Sequence, residues 1–316
     1  MRMGAFMGGR WFWVAVSFGL VGCQQPCADG FTAHADGNCY ESPDAASFWE
    51  AHGEFLGDIT LNQVPAGAWQ MGLSESDEDW DPAHNAHQVE LTGDVWIATY
   101  EVSVRQWIEY MGYNPSEIWM GEDWASDELE KAEHTPVHSV TYDEILAFSN
   151  AMSAYHGLQE CFSCEGEGTE VSCSITVDPY LCEGYRMATE AEWEWAAMGG
   201  EEFTFPGSEE INEIGWWEEN SDMDTHENGT RLANGYGLYD MGGNIREFVL
   251  DWFMMYGEGT EVDPFMYPED GEWPAERGGS FACRSPELRV DRRNLKGDYV
   301  RDMHSGFRIA RTVTEQ

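Results

Sequence analysis

Lysine is almost missing from this chain. Only Lys131 and Lys296 occur among 316 residues, and with 14 arginines they face 59 aspartates and glutamates, for a formal charge of -43. A nucleic-acid partner is excluded, because phosphate binding needs a basic face that displaces counterions. Long apolar runs are missing after residue 22, so nothing downstream reads as a membrane span, which needs about 20 consecutive apolar residues. A mean hydropathy of -0.49 with 42% hydrophobic residues describes a water-soluble globular chain. No Ser/His/Asp order, phosphate-cradling loop or internal repeat occurs, so a hydrolase has no support beyond composition. His84 and His87 are near neighbours with His138 and His304 as companions, but their spacing fits no metal triad, and scattered loop histidines read as structural. The carboxylate surplus keeps a chain soluble and monomeric. It reads either as adaptation to saline surroundings or as a lineage-wide bias.

The one apolar run lies at the start. Arg2 and Arg10 followed by apolar residues from Trp11 to Gly22 have the layout of a secretory signal peptide, residues 1–22. Leu20-Val21-Gly22-Cys23 resembles the bacterial lipobox, in which the cysteine is acylated and the chain is cut just before it. Several acyl chains on Cys23 would anchor firmly. The expectation is a cell-envelope protein, periplasmic or on the surface, touching the membrane through its lipid alone; Gln24 is compatible with an outer membrane.

With Cys23 set aside, seven cysteines remain, an odd number. Cys27 and Cys39 bracket a short polar stretch within the linker, residues 23–60, and suggest a local disulfide loop. Cys161, Cys164, Cys173 and Cys182 fall in a Gly, Ser and Glu rich insertion, 161–182. Their three pairings stay open, with a zinc site as the alternative. Cys283 is left as the candidate free thiol.

Residues 61–316 read as one domain. Three capping boxes, in which a Ser or Thr and a Glu or Gln three residues later satisfy each other's amides, announce helices at Ser103/Gln106, Thr141/Glu144 and Thr189/Glu192. The second ends at Gly157 and the third at Gly199. Short β-like runs appear at Val89–Leu91, Trp96–Thr99, Gly279–Phe281 and Phe307–Ala310. The class is α+β with much irregular structure. Asp240, Asn244 and Glu247 gather oxygens around Gly242-Gly243, which suits a hard cation; alternatively Asn244 caps a helix starting at Ile245 and Asp240 ends a strand.

An ordered set of segments carries a family resemblance: VPAGAWQMG, DVWIATYEVSVRQW, TPVHSVTYDEILAFSNAMS, GYRMATEAEWEWAA, NGYGLYDMGGNIREF, RGGSF and a closing GFRIAR. Together they resemble the formylglycine-generating-enzyme, or sulfatase-modifying-factor, domain. The resemblance implies a C-type-lectin-like topology stabilised by calcium. Its ligands would be Asp240, the carbonyls of Gly243 and Ile245, and Glu247. In the family's generators two cysteines bind copper(I), which suits soft thiolates, and a substrate cysteine becomes an aldehyde. Cys283 falls on the first of those cysteines, Leu288 on the second, and Arg246 stands where the generators carry tryptophan.

A fold carries many functions and the site decides. The expectation is a ligand- or protein-interaction module without generating activity, its partner unnamed; the alternative is a copper-dependent oxidase resting on Cys283 alone. Eight of the fourteen arginines lie in the last 40 residues. Arg284, Arg289, Arg292 and Arg293 are candidate contacts for an anionic ligand, against the plainer reading that these arginines neutralise surplus carboxylates.

Overall fold

The computed structural model describes residues 31–33, 39–41, 59–77, 84–116, 134–257, 259–268, 271, 273–295 and 301–313. The signal peptide, Cys23 and Cys27 lie outside these residues. The expected linker holds a small antiparallel hairpin, β1 (Phe31–Ala33) with β2 (Cys39–Glu41).

All three capping boxes form. Ser103 opens α1 (Val104–Met111), Thr141 opens α2 (Tyr142–Tyr155), and Thr189 opens α3 (Glu190–Met198). Gly199 ends α3 with φ +66°, a conformation glycine adopts without a Cβ penalty. A fourth helix, α4, is a single turn (Ile211–Ile214). Among the described residues no helix is long and apolar enough to cross a membrane.

Strands assemble around these helices in small sheets. β3 (Leu61–Val64), β6 (Val95–Ala98), β15 (Ile309–Thr312) and β9 (Tyr185–Met187) form one antiparallel sheet, with β15 between β6 and β9. β13 (Arg293–Leu295), β12 (Pro274–Arg277), β10 (Arg246–Trp252) and β14 (Ser305–Phe307) form a second, in which β14 runs parallel to β10. β11 (Thr260–Val262), β5 (His87–Leu91) and β4 (Gly67–Met71) form a third. The run expected over Phe307–Ala310 is thus two strands of different sheets, joined at Arg308. The run at Gly279–Phe281 is no strand, because Gly278 and Gly279 take φ +87° and +70° and turn the chain away.

The main core packs α1 and α2 against the second sheet through Trp107, Phe148, Phe248 and Phe307, with Trp107 and Phe148 stacked at 5.4 Å. Aromatic side chains of this size bury a large apolar area each. The insertion forms a hairpin of β7 (Phe162–Glu165) and β8 (Ser172–Ile175) laid on α2. Two nested disulfides, Cys161–Cys182 and Cys164–Cys173, resolve the open pairing and overturn the zinc alternative, since no thiolate is left there to bind a metal.

Candidate functional site

The glycine turn after β12 builds the first part of the site. A Cβ on Gly279 would lie 2.8 Å from the Glu287 carbonyl oxygen, so this close approach excludes any side chain. The turn brings Ser280 and Cys283 beside Arg246, the first residue of β10. Cys283 is a free cysteine, 3% exposed. Arg246 donates Nη2–H to its Sγ at 3.3 Å, and the Ser280 hydroxyl lies 3.4 Å away. Burial works against the Arg246 charge, but the Cys283 sulfur and Glu276 outweigh it and raise its affinity for its proton. Leu288 packs in the same apolar cluster as Cys283, with Trp217. The residues present do not fit a two-thiolate copper(I) site: the second position is a buried hydrocarbon side chain, and a guanidinium faces the remaining sulfur.

The four calcium positions lie around a different hub. Asn244 is wholly buried with φ +57°; it donates Nδ2–H to Glu101 Oε2 at 2.7 Å and accepts from the His226 amide at 2.9 Å. A strand, not a helix, follows it, so Asn244 is no helix cap. The Ile245 amide donates to Glu101 Oε1, and a Cβ on Gly243 would lie 2.3 Å from the Trp216 carbonyl oxygen. Asp240 accepts from the Gly229 amide at Oδ2, while its Oδ1 is buried with no hydrogen-bond partner among the described residues. Burial raises its carboxyl to about 6, with the Glu247 charge adding to the effect.

Glu247 is not free. Arg308 grips both carboxylate oxygens, Nε to Oε2 at 2.6 Å and Nη2 to Oε1 at 2.5 Å, and Trp193 donates to Oε2 at 2.7 Å. The expected set therefore does not fit calcium as drawn: its strongest ligand is already neutralised by a buried guanidinium. Among the described residues no three His, Cys, Asp or Glu side chains are arranged to hold a metal ion. The four histidines stand apart: His84 on the Arg293 carbonyl, His87 beside Glu261, His138 between Ser116 and Ser139, and His304 against the Phe281 ring.

Sequence reasoning weighed neutralisation of surplus carboxylates by the arginines but did not identify which carboxylate each one meets. Arg293 is buried on Glu190, with Nε and Nη2 each 2.7 Å from a carboxylate oxygen, and so is withdrawn from any anionic ligand. Arg289 is paired with Asp291 and Asp77. Arg284 stays exposed at the start of a 3-10 turn, Ser285–Leu288, and Arg292 is half-buried with partners of its own. Arg277 joins Glu190 and Glu194, while Arg186 pairs with Glu192. The available signal was the alternation TEAEWEWAA, which puts three glutamates into one helix of otherwise apolar residues. Also missed were Glu101 and the stack of His226, Trp216 and Arg231.

Residues 60–313 match the family model described as sulfatase-modifying factor enzyme 1-like domain. A formylglycine-generating enzyme of Thermomonospora curvata is 35% identical over 284 residues, spanning 78% of this chain and 91% of that protein. A Paenibacillus barcinonensis protein named chaperone protein LppX is 30% identical over 219 residues, 60% of this chain and 69% of its own. Among solved structures, Treponema denticola variable protein 1 superposes with a TM-score of 0.66 at 28% identity, covering 79% of this chain and 94% of that one. CarF superposes with a TM-score of 0.59 at 21% identity and so speaks to the fold alone.

Proposed function

This chain belongs to the sulfatase-modifying factor enzyme 1-like family, and within it we propose that it is a lipid-anchored envelope protein whose domain binds a ligand or partner and makes no formylglycine. The observation that carries the reading is the surroundings of Cys283. A generator's chemistry needs two soft ligands for copper(I), and here Leu288 fills the second place while Arg246 donates to the one sulfur. A guanidinium at that distance opposes the approach of a further cation.

The alternative, a copper-dependent oxidase with one protein thiolate, draws on the same free Cys283 and on likeness to the Thermomonospora curvata enzyme. Mass spectrometry of a sulfatase-motif peptide incubated with the copper-treated protein and oxygen separates the two. The expected result is an unchanged peptide cysteine. Conversion to an aldehyde that disappears in Cys283→Ala would overturn the interaction-module reading.

The anchor rests on the Leu20-Val21-Gly22-Cys23 segment. In cells fed a labelled fatty acid the wild-type chain should carry the label and Cys23→Ser should not; equal labelling of both would refute lipidation at Cys23.

A further inference from the structure

The insertion carries its two disulfides in unlike settings. Cys161 and Cys182 are 1% and 0% exposed, inside the main core. Cys164 and Cys173 are half-buried and directly opposed across the β7–β8 ladder, with Ser163, Glu165, Ser172 and Ser174 exposed on either side of them. Thiol–disulfide exchange needs access to a sulfur, so a reductant arriving from solvent meets the inner pair first.

Opening the inner pair releases little else. Asn150 on α2 accepts from the Cys161 and Phe162 amides at 3.2 Å and donates to the Phe162 carbonyl at 2.8 Å, which fixes the base of the hairpin to the helix. Between Ser163 and Ser174, the side chains packed on the main core are those of Cys164 and Cys173 themselves. A two-stranded hairpin is marginal in water without such support. Once the bond is gone, the tip has little to hold it while the base stays in place.

The two sulfurs are not equivalent. Asn150 Nδ2 approaches Cys164 Sγ at 3.7 Å, whereas Cys173 Sγ lies 3.4 Å from the Asp143 carbonyl oxygen, and the Asp143 carboxylate accepts from the Cys173 amide. A thiolate on Cys164 would meet an N–H donor and one on Cys173 would meet oxygens, which makes Cys164 the better leaving group.

We propose that Cys164–Cys173 is a reversible exchange site for a dithiol reductant, clasping the hairpin tip to α2 when oxidised and freeing it when reduced. One thiolate of the dithiol attacks Cys173 Sγ, the S–S bond breaks, and Cys164 leaves as a thiolate that takes up a proton. The second thiol of the reductant, deprotonated, then displaces Cys173 from the mixed disulfide, and Cys173 is protonated in turn. Two electrons and two protons pass to the hairpin, and the reductant ends as a disulfide. Glu165, Glu167 and Glu170 are exposed at the tip, so their charge selects a neutral or basic dithiol surface over an anionic thiol. The exchange site is independent of the interaction-module reading and does not involve Cys283.

The test treats the full mature chain with dithiothreitol at neutral pH, alkylates at intervals and maps the labelled peptides by mass spectrometry. Cys164 and Cys173 should be labelled together about tenfold faster than Cys161 and Cys182. At that stage hydrogen exchange over residues 163–174 should be about tenfold faster than in the oxidised protein, with α2 unchanged. Oxidised dithiothreitol should restore the slow exchange. The double variant Cys164→Ser, Cys173→Ser should show the fast exchange without any reductant. Rapid alkylation after a pulse of 2-mercaptoethanol should find the adduct on Cys173 and the label on Cys164. Glu165→Gln, Glu167→Gln and Glu170→Gln together should speed reduction by glutathione about threefold without speeding 2-mercaptoethanol; equal rates with wild type would overturn the selection by charge. Labelling of all four cysteines at one rate, earlier labelling of Cys161 and Cys182, or slow exchange over 163–174 in either the reduced protein or the double variant would each overturn the clasp. An adduct on Cys164 would overturn the direction of attack.

Discussion

Substituting Glu190 by glutamine should be among the most damaging single changes the domain can suffer. Glu190 takes two hydrogen bonds from Arg293 and one from Arg277, at 2.7, 2.7 and 3.1 Å, with both guanidiniums wholly buried. A glutamine keeps the shape but removes the charge that faces both guanidiniums. Removing one partner of a buried pair typically costs about 3–5 kcal/mol, a large part of the roughly 5–15 kcal/mol that holds a domain together. For a domain of about 250 residues each kcal/mol moves Tm by roughly 2–4 °C, so a fall of about 6–20 °C is expected in calorimetry.

The pH dependence gives that experiment a second readout. Burial alone would raise the Glu190 carboxyl, but Arg293 and Arg277 outweigh it and hold it below the usual glutamate range. A depressed carboxylate contributes stability that is present above its unfolded pKa and is lost as pH falls through its folded one. The wild-type protein should therefore lose part of its stability in acid that Glu190→Gln has already lost. A Tm fall under about 2 °C, or an acid limb identical in the two proteins, would refute the reading of Glu190 as the anchor of this network.

Other buried acids run the opposite way. Burial, with Glu190 nearby, raises Asp251 to about 8, and burial raises Asp240 to about 6, so their contribution is full only below the ordinary aspartate value and is lost progressively as pH rises from there through those values. Thermal melts should show a lower Tm at about pH 8 than at about pH 5, and Asp251→Asn should flatten that slope; a Tm that rises over this interval would contradict the assignment. Removing the Cys161–Cys182 disulfide by paired Cys→Ser changes should cost about 3 kcal/mol in urea unfolding, and removing Cys164–Cys173, which closes a shorter loop, somewhat less. The reverse order would argue against loop closure as the cause. Thr189→Ala should cost about 1 kcal/mol through the lost cap of α3, read in the same assay.

Much of the fold was legible in the sequence because its signals are local. The capping boxes at Ser103, Thr141 and Thr189 each need only four consecutive residues, and each formed. Strand limits were harder at Phe307–Ala310, where a single residue separates strands of two sheets and hydrophobicity alone shows no break. The candidate site was legible in position but not in wiring. Cys283 and Leu288 share one apolar cluster, while the run at Gly279–Phe281 read as a strand although the chain turns at Gly278 and Gly279. Which carboxylate each arginine meets depends on pairs far apart in the chain: Arg308 with Glu247, Arg293 with Glu190. No spacing rule links such residues, so Glu247 looked available for a cation when it was already taken.

The way Arg308 joins β14 to β15 has a consequence for how the protein is made. Residues 305–307 extend the sheet containing β10, and residues 309–312 lie between β6 and β9, so both sheets wait for the same eight-residue stretch. During synthesis the upstream pairs, such as β3 with β6 and β10 with β12, emerge first, but these two sheets lack their last strands until the end. Pairings that span most of the chain form slowly. Both sheets are therefore closed by one late pairing event at the end of the chain.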